Sequence, residues 1–69
     1  NPPDPGYGAA DAAYKAYGAH NHEAALANAR QAVQLSPANA QYRLLLVNAL
    51  VASGQLAMAA SQASQFLEP

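Results

Sequence analysis

The chain has 69 residues, 7.1 kDa and a net charge of −1, enough for one small domain of marginal stability. Its 52% hydrophobic content overstates the core, because nineteen of those residues are Ala and four are Tyr. With no Cys, three basic residues (Lys15, Arg30, Arg43) and no apolar run near the roughly 18 residues of a membrane span, disulfides, nucleic-acid binding and membrane insertion of this segment are set aside.

Residues 1–8 hold three of the five prolines and two of the four glycines, and read as a linker or extended arm. Four helical segments follow within residues 9–69. The first runs from about Ala9 to Ala19, with Ala9, Ala12, Ala13 and Ala16 as its apolar stripe. Asn21 is placed to cap the second, which runs to Leu35 and closes at Ser36-Pro37. Its inner face reads Ala25, Leu26, Ala29, Ala32 and Val33. Asn39 caps the third, which ends near Ser53 with Gly54 as a left-handed stop. Leu44 to Val47 and Ala49 to Ala52 make that helix apolar nearly all round, so it is expected to be buried between the second and fourth. The fourth has one apolar face, Leu56, Ala59, Ala60, Ala63, Phe66 and Leu67, opposite Ser61, Gln62, Ser64 and Gln65. No stretch alternates with period two, so no strand is expected.

The two halves match at a spacing of 34 residues: Ala25 with Ala59, Ala29 with Ala63, Val33 with Leu67, Ala13 with Val47, Ala16 with Leu50 and His20 with Gly54. The stretch His22-Glu23-Ala24-Ala25-Leu26, then Ala29, then Ala32-Val33-Gln34-Leu35-Ser36-Pro37, resembles the second helix and closing proline of the tetratricopeptide repeat (TPR) family. Leu46, Leu50, Gly54, Leu56, Ala59, Ala63 and Phe66 resemble it again in the second half. The usual aromatic near the start of the first helix is replaced by Ala9 and Arg43, and His20 stands where Gly is common. The resemblance spans about residues 6–69. It implies an all-α, TPR-like solenoid of two antiparallel helix hairpins, about 9–37 and 38–69.

A narrower similarity involves Ala12-Ala13-Tyr14-Lys15-Ala16-Tyr17, Ala32-Val33 and Tyr42 to Leu50. It points to the periplasmic TPR regions of bacterial outer-membrane proteins, the phage-adsorption receptor type and its exopolysaccharide-export relatives. The chain does not begin with Met, and is expected to be a processed or excised piece of a larger protein.

The TPR resemblance implies that the first helix of each hairpin lines a concave, partner-binding face. Carried over, that lining is Ala10, Tyr14, Tyr17 and Gly18, then Gln41, Leu44, Leu45, Asn48 and Val51. Tyr14 and Tyr17 share a helix face and suit a binding anchor, or else pack against the third helix. Gln41 and Asn48 could bond a ligand backbone. A carboxylate clamp is not favoured, because only Asn48 has the right chemistry. No capping helix follows, so Met58, Ala63 and Phe66 are expected to form a sticky end face that dimerises or meets further repeats.

His20 and His22 with Glu23 make a poor metal set, since alternate residues on a turn diverge; His20 reads as a left-handed turn residue. Asp4, Asp11, Glu23 and Glu68 are scattered, and there is no phosphate loop. The expectation is a non-catalytic protein-interaction module without metal or cofactor. The other reading is a structural spacer or oligomerisation unit in a longer array, in the periplasm if the narrower similarity holds.

Overall fold

The computed structural model describes residues 4–67, apart from the side chains of residues 56, 57, 59, 66 and 67. The described residues form four α-helices and no strand: α1 (Tyr7–Gly18), α2 (His22–Leu35), α3 (Ala40–Ala52) and α4 (Leu56–Leu67). Connections of three or four residues make the chain reverse at each corner. Each helix packs on the next, and α1 also touches α3. The result is a flat body of 37 × 33 × 14 Å.

Helix α1 starts two residues before the expected Ala9 because Asp4-Pro5-Gly6-Tyr7 folds as a turn. The Tyr7 N–H donates to the Asp4 carbonyl at 2.9 Å, and Gly6 sits at φ −89°, ψ 1°, as the third residue of a type I turn does. Pro5 fixes its own φ at the value the second turn position needs, so a composition that reads as an arm instead starts a helix. The described end of the presumed linker is docked: the Gly6 N–H donates to Ser36 Oγ at 2.9 Å. Residues 1–3 of that segment lie outside the described residues.

The corners after α1 and α3 share one geometry. In the first, His20 (φ 60°) donates to the Tyr17 carbonyl at 3.1 Å and Asn21 to that of Ala16 at 2.9 Å. In the second, Gly54 (φ 82°) donates to Val51 at 3.0 Å and Gln55 to Leu50 at 2.9 Å. Both are Schellman stops, in which a left-handed residue lets two N–H groups satisfy the last free carbonyls. Every partner in one lies 34 residues from its counterpart in the other.

Asn21 Oδ1 caps α2 by accepting from the Ala24 N–H at 3.2 Å. Asn39 Oδ1 caps α3, accepting from Gln41 at 3.0 Å and Tyr42 at 3.2 Å. Ala10 and Ala13 of α1 are buried in one core with Ala29 and Ala32 of α2, where the lack of bulk lets the helices approach closely. Helix α3 supplies the large side chains: Tyr42, Leu45, Leu46 and Leu50 complete that core with Ala49. It does lie between α2 and α4, but it is not buried all round. Gln41, Leu44, Asn48 and Val51 stay exposed along one stripe, at offsets of 3, 7 and 10.

Candidate functional site

The exposed stripe of α3 lies on a helix that is otherwise core. Leu44 is 57% exposed and Val51 49%, although each occupies one of the most apolar segments of the chain. On the neighbouring α1, Tyr14 and Tyr17 are exposed as well, with Gly18 beside them. All six residues expected to bind a partner (Tyr14, Tyr17, Gln41, Leu44, Asn48 and Val51) are therefore on the surface, on two helices that touch. Ala10 and Leu45 are corrected. They are 2% and 4% exposed, because both belong to the core shared by α1, α2 and α3.

Sequence reasoning missed Tyr7, the most exposed large hydrophobic side chain among the described residues at 60%. Its position among prolines and glycines reads as arm, yet it opens α1 seven residues before Tyr14, on the same face. Burial raises the pKa of the Tyr42 phenol, and the negative charge of Asp4 and the phenols of Tyr14 and Tyr7 raise it further. Among the described residues, the charges on α1 are Asp11 and Lys15, which pair at 3.0 Å; that contact raises the Lys15 pKa.

No protein-family model, curated protein or solved structure matches this chain.

Elsewhere, an open groove of about 350 Å³ runs between α2, α3 and α4, with Val33, Leu46, Leu50 and Met58 as apolar lining and Arg30 and Gln62 among its polar residues. Of the residues expected on an end face, Met58 is exposed and Ala63 half-buried; the Phe66 side chain lies outside the described residues. The His20 and His22 rings meet edge to face with centroids 6.2 Å apart. No group of three or more His, Asp or Glu residues that could hold a metal occurs among the described residues. No described helix is long and apolar enough to cross a membrane.

Proposed function

We propose that this chain is a non-catalytic, TPR-type protein-interaction module, and that its α1/α3 face receives a peptide or protein segment. The observation that carries the reading is the open stripe of Gln41, Leu44, Asn48 and Val51 on a helix whose remaining faces form the core. Exposing Leu44 and Val51 gives up stabilisation that burial would supply, and neighbouring tyrosines enlarge the same apolar, hydrogen-bonding surface. The paired corners 34 residues apart support two repeats of one helix hairpin.

The test is selection of peptides on the immobilised 69-residue protein, followed by binding to Tyr14→Ala and Asn48→Ala variants of unchanged helicity. Selected peptides are expected to lose affinity for both. Unchanged affinity in both variants removes the site.

One observation favours the second reading, a spacer or oligomerisation unit in a longer array. Met58 is 45% exposed beside the groove between α2 and α4, as expected of an end that stacks on another repeat or a second copy. Light scattering after size exclusion over a hundredfold concentration range separates the two. A dimer that loses helicity on dilution favours stacking, and a stable helical monomer favours the binding face. The periplasmic, outer-membrane setting belongs to this second reading.

A further inference from the structure

We infer that the groove between α2, α3 and α4 binds a small amphipathic monocarboxylate, its carboxylate on Arg30 and its hydrocarbon body on Val33, Leu46, Leu50 and Met58. The site uses different side chains from the α1/α3 face and does not depend on what that face receives.

The groove follows from the packing. Among the described residues, the backbones of α2 and α4 both pack on α3 and not on one another. The gap between them is an open trough of about 350 Å³. Leu46 and Leu50 form its buried floor, Val33 stands half-buried on the α2 wall, and Met58 is exposed on the α4 wall. Apolar walls with a few polar groups are the usual make-up of a small-molecule site, and the volume falls within the roughly 300–1,000 Å³ of such sites. A cavity of roughly 150 Å³ takes one benzene, so this trough has room for a body of about ten to twelve carbon atoms. The flexible thioether of Met58 adapts to such a chain.

The polar lining selects the head group. Among the described lining residues, Arg30 alone carries a charge. It makes no ion pair with any described residue, and the described parts of α3 and α4 supply no acid. The acid nearest to it along α2 is Glu23, seven residues and roughly 10.5 Å of helix away. The groove therefore presents a fork of N–H donors with no anion to hold. A carboxylate matches that fork bidentately. One guanidinium balances one negative charge, so a phosphate monoester would stay half-compensated above an apolar floor. Gln34, one turn after Arg30, and Gln62, one turn after Met58, each add an amide donor that bonds no described residue. A peptide C-terminus offers the same carboxylate but also brings backbone N–H groups, and the carbonyls along helices α2–α4 are already bonded within those helices. A free carboxylate on a hydrocarbon chain leaves nothing unpaired.

The experiment titrates the 69-residue protein with sodium decanoate below its micelle concentration near neutral pH, followed by the methyl resonances and by calorimetry. Decanol, decyltrimethylammonium and acetate serve as comparisons. Saturable binding of decanoate is expected, with shifts at the methyls of Val33, Leu46, Leu50 and Met58. Decanol should bind about tenfold more weakly, and the cation and acetate not measurably. Arg30→Gln should weaken decanoate about tenfold and leave decanol unchanged, whereas Met58→Gln should weaken both. Both substitutions alter exposed side chains, and circular dichroism verifies that helicity is kept. The proposal is overturned if decanoate does not saturate at millimolar concentration, if decanol binds as tightly, if Arg30→Gln has no effect, or if the shifts fall on the α1 tyrosines instead. A dimer by light scattering whose groove methyls ignore decanoate would overturn it too, and would give the groove to a second copy.

Discussion

The Ser36 hydroxyl donates a hydrogen bond to the Asp4 carboxylate across 32 residues of chain. The same carboxylate accepts from the Gly6 N–H at 3.0 Å and from Asn39 Nδ2 at 3.2 Å. One side chain thus joins the start of α1, the end of α2 and the cap of α3. These bonds favour the ionised form, Ser36 most strongly, then Gly6, and together with Asn39 they outweigh desolvation to hold the Asp4 carboxyl below the usual carboxylate range. A carboxylate depressed on folding contributes stability that is present above its unfolded pKa and lost as pH falls through its folded one. Urea unfolding of the native chain should therefore weaken steadily as pH drops from about 5 to about 2. Asp4→Asn should be less stable near neutrality and show a shallower acid dependence. Parallel pH profiles for the two proteins would disprove the role of the charge.

Gly6 and Gly8 should respond to alanine in opposite directions. A Cβ on Gly6 would stand 2.7 Å from the Ala32 carbonyl oxygen, 2.9 Å from Ser36 Oγ and 3.0 Å from Tyr42 Cε2. The first of these is backbone, so the docked turn itself has to move. Gly6→Ala should cost roughly 1–3 kcal/mol, as overpacking does. Nothing lies within 4 Å of a Cβ on Gly8, which sits in the first turn of α1. Gly8→Ala should stabilise by up to about 1 kcal/mol. Thermal melts of the two variants beside the native chain measure both, and a neutral Gly6→Ala would show that the turn is not tightly seated.

Legibility followed the range of the interaction. Both asparagine caps, the left-handed Gly54 and the Ser36-Pro37 stop were readable because each is decided within a few residues. The start of α1 was not. Its prolines and glycines are equally compatible with an arm, and the choice is settled by Ser36 and Asn39, more than thirty positions away. The open stripe of α3 was hidden for a related reason. Leu44 and Val51 resemble Leu45 and Leu46 in hydropathy, so only the placement of α1, α2 and α4 decides which of them meets solvent. The TPR resemblance, not hydropathy, singled out Gln41, Leu44, Asn48 and Val51, and these four side chains are exposed.

Leu50 is the one large side chain that is fully buried among the described residues, at 1% exposed. It sits where α3 meets the core shared with α1 and α2, and it also lines the groove towards Met58. Leu50→Ala should cost about 2–5 kcal/mol. A domain of this size holds only roughly 3–10 kcal/mol in all. The variant should therefore lose most of its cooperative transition in urea. Leu44→Ala removes the same atoms from an exposed position and should change stability by no more than about 0.5 kcal/mol. Comparable losses in both variants would mean that Leu44 is covered in solution, by a second copy or by the chain itself. The concentration dependence of the Leu44→Ala midpoint tells those two apart.

The two Schellman corners permit a reciprocal exchange. His20 holds φ 60° with a side chain that makes this conformation costly, whereas Gly54 adopts φ 82° freely. The backbone bonds at the two sites match, so the same substitution chemistry should read out with opposite signs. His20→Gly should stabilise the chain by roughly 1 kcal/mol through relief of left-handed strain, offset in part by the greater freedom of glycine when unfolded. Gly54→Ala should cost roughly 1–2 kcal/mol, and since nothing crowds a Cβ there, the whole cost is conformational. Denaturant midpoints of the single variants and of the double variant supply the comparison. The corners share no bonding partner, so the effects should add. A His20→Gly variant less stable than the native chain would show that the imidazole, through its edge-to-face contact with His22 at 6.2 Å, contributes more to the corner than its backbone strain removes.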